Sequence, residues 1–260
     1  MQSEPEHSVV LSVAHALQRE GHPFRPPYYM ATVEKRGEVV GCALRPPPDG
    51  ITLTRMPLSA MAEIAAGLAR TGRELPDASG PEPQAAAFAQ HWAELQDLDW
   101  GVECRYRWYS ATRVEDPPAR APGTLRIAGQ EDVSWLRPWA TAYASEVWAS
   151  AVDVPAFFDR RVATRSMYVW DHGGPCAVAA VSGATPNSSR ISAVYTPPQH
   201  RGRGYASTLV ADVTREVLSG GRRWCVLSAE VANRKINAMY RRLGYSPVCD
   251  TAAITFSART

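Results

Sequence analysis

The chain has 260 residues, 45% of them hydrophobic and 21% charged, a composition typical of a globular protein with a substantial core. Its 28 Lys and Arg residues against 26 Asp and Glu residues give a formal charge of +2, which argues against a dedicated nucleic-acid or membrane-surface binder. The five scattered cysteines form no C-x-x-C pair and disfavour a disulfide framework or a zinc cage, so we expect no metal site. Without a long apolar run or a signal-peptide pattern, the default expectation is a cytoplasmic protein.

In the first half of the chain, residues 29–33 and 39–44 flank a polar tip and predict a β-hairpin. A third short strand over 51–54 ends at Met56-Pro57, and a helical pattern follows over 58–70. Residues 116–123, dense in proline and small side chains, indicate a linker. The predicted domains are therefore residues 1–118 and 123–260.

The second half repeats this plan. After a strand at 124–128 and two helices within 132–163, a second hairpin (167–170 with 177–181) precedes a third strand, 190–196, that also ends in prolines. A helix, a strand at 224–230, a helix at 233–243 and a final strand at 252–256 follow. Equivalent positions are offset by 137 residues (Met30 to Met167) and 140 residues (Ile51 to Ile191), which favours a duplicated fold with mixed sheets and packed helices.

The most informative stretch is Gln199-His200-Arg201-Gly202-Arg203-Gly204, where a strand ends and a Gly-x-Gly turn opens a helix. Glycine lets a ligand approach the backbone, and the free N–H groups of a helix start attract anions, so a diphosphate fits here. An ordinary strand-to-helix turn with two solvated arginines is the alternative. The sequence contains neither a Walker A motif nor the third glycine of a dinucleotide loop.

The last predicted helix carries a polar stripe, because Asn233, Asn237 and Tyr240 are spaced at i, i+4 and i+7. Asn233 is a good N-cap and Gly244 a good C-terminal stop. The alternative is that Asn233 only caps and Tyr240 only packs.

The glycine loop and this helix together resemble the GCN5-related N-acetyltransferase (GNAT) family. Residues 199–204 match its Q/R-x-x-G-x-G/A acyl-CoA loop, and Asn233, Tyr240, Gly244 and Tyr245 match its later helix. The strong resemblance covers about residues 167–256 and extends back to 124. The first half resembles the fold only, since no Gly-x-Gly follows Met56-Pro57.

The resemblance implies an α/β (α+β) protein of two GNAT-like domains, each a mixed, mostly antiparallel sheet flanked by helices, with the first a degenerate copy that lacks the CoA loop. It also implies acetyl-CoA as the acyl donor. Val194, Tyr195 and Thr196 would bind the pantetheine through the backbone, and the N–H groups from Arg201 through Ala206 would hold the diphosphate. The full implied cofactor set is Val194, Tyr195, Thr196, Gln199, His200, Arg201, Gly202, Arg203, Gly204, Tyr205, Ala206, Ser207, Asn233, Asn237 and Tyr240.

The same resemblance places Tyr240 at the thioester sulfur. A tyrosine with an ordinary pKa near ~10 is protonated at neutral pH and can donate to the departing thiolate, so Tyr240 is the predicted general acid. Glu230, at the end of the preceding strand, is the predicted base, with Tyr195 or a water chain as alternatives. A covalent route through Cys225 or Cys176 is disfavoured because buried cysteine is usually inert.

The acceptor pocket is expected from the first helices of the second half, where aromatic and acidic side chains cluster: Trp135, Trp139, Tyr143, Glu146, Trp148, Asp153 and Asp159. Of these, Trp139, Tyr143 and Glu146, together with Glu230, are predicted to bind the substrate by cation–π and charge contacts with an ammonium. The alternative is that the tryptophans hold the helices or the two halves together.

The sequence therefore predicts an N-acetyltransferase that moves an acetyl group from acetyl-CoA to a primary amine of a small molecule, such as an amino acid, polyamine, antibiotic-like amine or peptide amine, by direct attack in a ternary complex. Neither nucleic acid nor a membrane is an expected partner, and the oligomeric state stays open. The alternatives are a non-catalytic CoA-binding sensor or interaction module, and a tandem GNAT-like aminoacyl transferase. The near-neutral charge and the intact loop argue against the aminoacyl transferase.

Overall fold

The computed structural model describes residues 4–18, 28–46, 50–72, 74–147 and 153–259. The chain divides into two compact units. The first comprises Met1–Trp108, Ala229–Ala232 and Val248–Thr260, and the second comprises Tyr109–Ser228 and Asn233–Pro247.

The first unit contains three helices and six strands among its described residues. In chain order these are α1 (Glu4–Leu17), β1 (Tyr29–Lys35), β2 (Glu38–Arg45), β3 (Ile51–Leu53), α2 (Met61–Ala69), β4 (Asp77–Pro81), α3 (Glu82–Gln96), most of β5 (Leu98–Ala111) and most of the chain's last strand, β11 (Ser246–Ala258). The strand order is β1-β2-β3-β4-β11-β5, with β3 and β4 parallel. Ile51, Met61, Phe88 and Trp92 are buried in its core.

The second unit carries the predicted glycine loop. Its elements are β6 (Thr124–Ile127), α4 (Val133–Glu146), α5 (Val154–Ala163), β7 (Met167–Asp171), β8 (Pro175–Ser182), β9 (Ser188–Tyr195), α6 (Tyr205–Ser219), β10 (Trp224–Glu230) and α7 (Arg234–Arg242). The strand order is β10-β9-β8-β7-β6, and only β9 and β10 of these neighbours run parallel. Leu136, Phe158, Met167 and Val178 lie in its core.

The order strand, strand, strand, helix, strand, helix, strand occurs twice, as β1-β2-β3-α2-β4-α3-β5 and as β7-β8-β9-α6-β10-α7-β11. In both copies the parallel pair joins the third and fourth strands. The mixed, mostly antiparallel sheet flanked by helices confirms the predicted fold class. The helix expected over 58–70 begins as a 3-10 turn, Leu58–Ala60, which leads directly into α2.

The compact units do not follow the break predicted between residues 118 and 123. The last strand belongs to the first unit because Thr251–Thr255 pair antiparallel with Asp77–Pro81. Residues 116–123 are irregular, as expected of a proline-rich run, yet they belong to the second unit and pack on it. The Ala121 N–H donates to Thr208 Oγ1 at 2.9 Å, and Trp170 Nε1 donates to the Pro122 carbonyl at 2.9 Å.

No helix among the described residues has both the length and the apolar character needed to cross a membrane.

Candidate active site

Strand β9 is bulged just before the glycine loop. Ala180 of β8 pairs with Ser192 of β9, but Val178, two residues away, pairs with Tyr195, three residues away. One extra residue on β9 is therefore taken out of the ladder, which is a β-bulge. Ala193 adopts a positive φ of 49°, a conformation that costs a non-glycine residue roughly 1–3 kcal/mol. Strain of this kind is often retained at sites where the backbone must be re-aimed.

β9 and β10 pair over only part of their lengths. Ser188–Arg190 pair in parallel with Trp224–Val226, and both strands continue well past this segment. Among the described residues, β9 and β10 form no further Cα pairs beyond that of Arg190 with Val226. The segment predicted to bind the pantetheine, Val194 to Thr196, therefore lies beyond the last pair of β9 with β10, at Arg190.

The glycine loop turns at two glycines with positive φ before α6 begins. After a 3-10 turn (Pro198–His200), Gly202 and Gly204 adopt φ values of 77° and 80°, a region that favours glycine. Gly204 is the N-cap of α6, and no side chain caps that helix. A Cβ added to Gly202 would meet nothing within 4 Å, so the backbone is open there. The first N–H groups of the helix have no intrahelical acceptor and can bind an anion.

The first turn of α6 is fixed by side chains that bond behind the loop. Ser207 Oγ and Thr208 Oγ1 donate to the Gly204 carbonyl at 2.8 and 3.1 Å. Tyr205 is buried, and its hydroxyl lies 2.9 Å from His172 Nδ1. Of the predicted loop residues, Gln199, Arg201 and Arg203 are exposed, whereas Tyr205 faces the protein.

Arg201, predicted to bind acetyl-CoA, and Glu146, predicted to bind the amine acceptor, form an ion pair in the structure. Arg201 Nη2 donates to Glu146 Oε1 at 2.7 Å and to Oε2 at 2.5 Å, and Arg201 Nε donates to the Thr196 carbonyl at 2.8 Å. The Tyr195 hydroxyl lies 3.5 Å from the same carboxylate. The guanidinium of Arg201 is therefore held by Glu146 and the Thr196 carbonyl.

The predicted polar stripe on α7 lies against β5. Asn233 caps the helix by accepting from the Ile236 N–H at 3.2 Å. Asn237 is buried, donates to the Asn233 carbonyl at 2.7 Å and accepts from the Tyr109 hydroxyl at 2.7 Å. Both ends of the Asn237 amide are thus engaged inside the protein. No sequence pattern links Tyr109 to Asn237, which is 128 positions away.

Tyr240 is buried, with 4% of its surface exposed, and its ring lies 6.0 Å from those of Tyr109 and Tyr245. Burial raises the pKa of its hydroxyl well above the ordinary value, and the nearby hydroxyls of Tyr143 and Tyr109 raise it further. Tyr240 therefore keeps its proton throughout the neutral range.

The aromatic side chains of α4 pack against β9. The ring centroids of Trp139 and Tyr143 each lie 6.0 Å from the ring centroid of Tyr195. Both side chains are partly buried and pack against the core. Trp135 Nε1 donates to Asp132 at 2.9 Å. These contacts are of the kind expected if the tryptophans hold structural elements together, which was the alternative to substrate binding.

The remaining members of the predicted acceptor cluster have local structural roles or lie elsewhere. Asp153 caps α5, and Asp159 pairs with Arg137 at 2.9 Å. Trp148 lies outside the described residues. Glu230, the predicted base, is exposed at the end of β10 and belongs to the first unit, whereas the other predicted site residues belong to the second.

The two cysteines of the alternative covalent route are buried. Cys225 accepts from the Tyr245 hydroxyl at 3.2 Å, and burial raises the pKa of its thiol to about 11. The Cys176 thiol donates to the Gly174 carbonyl at 3.4 Å. Among the described residues, no group of three or more His, Cys, Asp or Glu side chains could hold a metal ion.

A cleft of about 270 Å³ lies where the start of α6 faces α7. Its walls are largely apolar and also carry two cationic side chains. It is lined by Pro117, Pro118, Ala119, Ser207, Lys235, Ile236, Met239, Arg242 and Leu243.

Comparison with known proteins agrees with this geometry. Residues 174–253 match the family model described as FR47-like protein. No curated protein matches the chain. The fold is similar to that of a GCN5-related N-acetyltransferase from Kribbella flavida (TM-score 0.62, 17% identity, 96% of this chain and 95% of that one).

Two further solved structures share the fold. They are a GCN5-related N-acetyltransferase from Sphaerobacter thermophilus (TM-score 0.59, 15% identity, 98% and 92% covered) and a GNAT-family acetyltransferase from Colwellia psychrerythraea (TM-score 0.54, 14% identity, 88% and 85% covered). At these identities the likeness establishes the fold. The chain therefore has the fold of these acetyltransferases, and residues 174–253 of its second half match the FR47-like family model.

Proposed function

We propose that the chain is an N-acetyltransferase that moves an acetyl group from acetyl-CoA to a primary amine of a small molecule. The observation that carries this proposal is the open backbone at Gly202, which together with the positive φ of Gly204 leads into an uncapped helix N-terminus beside the gap between β9 and β10. A diphosphate fits the helix start, and an extended pantetheine fits a gap between strands.

The donor would lie along the second unit. The backbone of Val194, Tyr195 and Thr196 would bind the pantetheine, and the N–H groups from Arg201 to Ala206, with Ser207 beside them, would hold the diphosphate. The cleft that begins at Ser207 would take the adenosine end, with Lys235 and Arg242 as candidates to bind its 3′-phosphate.

The chemistry follows from the burial of Tyr240. The neutral amine nitrogen attacks the thioester carbonyl carbon, a C–N bond forms, and the C–S bond breaks. The departing sulfur needs a proton, and the Tyr240 hydroxyl, held neutral by its raised pKa, supplies it. A backbone N–H on the bulged strand β9 would stabilise the negative charge on the carbonyl oxygen.

The acceptor side rests on fewer observations. Trp139 and Tyr143 present aromatic faces beside Tyr195, and we propose them as walls of the acceptor pocket. Glu230 is the proposed base, directly or through a water molecule, for the proton that leaves the amine.

The test is release of CoA thiol during incubation with acetyl-CoA and an amine panel. Tyr240→Phe should lose roughly 10²–10⁴-fold in kcat, the usual contribution of general acid catalysis, while still binding CoA. Tyr245→Phe is the matched control, since its hydroxyl bonds Thr214 and Cys225 in the core. Full activity of Tyr240→Phe would refute its role, and CoA binding without turnover on the whole panel would favour a CoA-binding module.

A further inference from the structure

Two arginines of the second unit reach the same end of β8. Arg161, in the last turn of α5, extends Nη1 to 3.5 Å from the Val181 carbonyl, and Arg190, on β9, donates Nε to Ser182 Oγ at 3.4 Å. Both side chains are half-buried. Burial lowers the pKa of both guanidinium groups, and the charge of Arg161 lowers that of Arg190 further. Two like charges are therefore held close together at reduced hydration.

The described residues around Arg161 supply no counter-charge. None of their carboxylates forms an ion pair with Arg161, and its buried Nε has no acceptor among them. The face of Phe157 lies 5.1 Å from its guanidinium carbon. A buried cationic donor without an acceptor is costly, so an anion from outside the protein would stabilise this arrangement.

Arg190 also occupies a particular place in the candidate active site. It is the last residue of β9 that pairs with β10, so it lies where the gap between these strands begins. The hydroxyls of Ser182 and Ser192, 3.0 Å apart, lie beside it. Burial raises the pKa of Tyr143 while the Arg190 charge opposes that rise, and Tyr143 in turn raises the pKa of Tyr240. The charge of Arg190 therefore acts on the Tyr143 hydroxyl, which in turn acts on the hydroxyl of Tyr240, the proposed acid.

We propose that Arg190 and Arg161 form an anion subsite of the acceptor pocket and that the amine acceptor carries a carboxylate. The planar fork of a guanidinium matches the two oxygens of a carboxylate, and the serine hydroxyls can donate to the same group. The acceptor is then an amino-acid-like molecule rather than a polyamine, which two cations would repel. This inference rests on the proposed function, whose acceptor it specifies.

The experiment compares amino acids that have one to five carbon atoms between amine and carboxylate, each with its own primary amide. Binding to the CoA-saturated protein is measured by calorimetry, and acetylation is measured by thiol release. At least one acid should bind about tenfold or more tightly than its amide, since only the carboxylate forms charge-assisted hydrogen bonds with the guanidinium groups. Arg190→Gln and Arg161→Gln should each remove most of that preference without changing the affinity for CoA.

Arg160→Gln is the matched control, because Arg160 is the exposed neighbour of Arg161 on α5 and should keep the preference. Since Arg190 lies in a strand, Tm and CoA affinity are measured for each variant, and the helical Arg161 provides an independent second site. Equal binding of acids and amides by the wild type, or a preference that survives in both variants, would overturn the subsite. A carboxylate preference without any acetyl transfer would uphold the subsite and count against the proposed function alone.

Discussion

The Arg201 side chain bridges Glu146 of α4 and the Thr196 carbonyl that precedes the glycine loop. An arginine in an anion-binding loop would ordinarily be expected to reach the ligand with its charge. Here the guanidinium instead connects the loop to a neighbouring helix, so its main effect is on loop geometry.

Glu146→Gln should therefore weaken acetyl-CoA binding and leave the KM for the amine unchanged. Both partners are more than a third exposed, so the expected loss is below about 1 kcal/mol, or up to about fivefold in the CoA dissociation constant. Asp159→Asn, which breaks the similarly exposed pair with Arg137, is the control and should have no effect. A raised KM for the amine with unchanged CoA affinity would instead support the acceptor role predicted for Glu146.

Gly202→Ala should lower CoA affinity and also destabilise the protein by about 1–2 kcal/mol, because alanine is strained at a φ of 77°. The cost is purely conformational, since an added Cβ would contact nothing within 4 Å. Gly101→Ala is the matched control, as its Cβ also enters open space but its φ is not positive. Thermal unfolding and CoA calorimetry measure both effects, and equal behaviour of the two variants would contradict the assignment.

Cys225→Ala should retain wild-type kcat. A thiol whose pKa is raised to about 11 is almost entirely protonated at pH 7–8, and the thiolate is the nucleophilic form. The variant loses the acceptor of the Tyr245 hydroxyl, so a modest fall in Tm is expected. A trapped acetyl-cysteine at position 225, found by mass spectrometry of the wild type, would overturn direct transfer.

Asp132 should make the second unit sensitive to acid. The residue is 3% exposed, and its carboxylate accepts from Arg126, the Gly129 N–H and Trp135. The Arg126 hydrogen bond, followed by the Gly129 and Trp135 bonds, outweighs burial and holds the pKa of Asp132 below its ordinary value. This stabilisation is present above the unfolded pKa, about 3.9, and is lost as the pH falls through the lower folded pKa.

Asp132→Asn should thus lower stability by about 2 kcal/mol at pH 7, with the difference from wild type shrinking below about pH 4. Glu131→Gln, the exposed neighbour, is the control. Thermal unfolding from pH 7 to pH 3 measures the effect. A difference that stays constant across this range would contradict a charge-based role for Asp132.

The local elements of the second unit could be predicted from the sequence. Prolines stop β9, glycines with positive φ open the loop, and Asn233 caps α7, and each of these signals acts within a few residues. The bulge at Ala193 has no such signal, because alanine gives no hint of a positive φ. Contacts between distant residues, such as Tyr109 with Asn237, depend on the tertiary fold and could not be read from spacing.

Charged residues were the hardest to assign from the sequence. Glu146 was predicted to bind the acceptor because it follows a run of aromatic residues, but its partner in the structure is 55 positions away. The pairing of β11 with β4 was also missed, since a strand pattern does not identify the neighbour with which the strand pairs.

That pairing has a consequence for how the protein is made. Residue 78 finds its β-partner at residue 254, so during synthesis β4 must wait for nearly the whole remaining chain to leave the ribosome. Until then β4 lacks one of its two neighbours and exposes an open sheet edge, a feature prone to unwanted pairing. Long-range closure of this kind also slows folding, and a translation product cut off before β11 would leave its first unit incomplete.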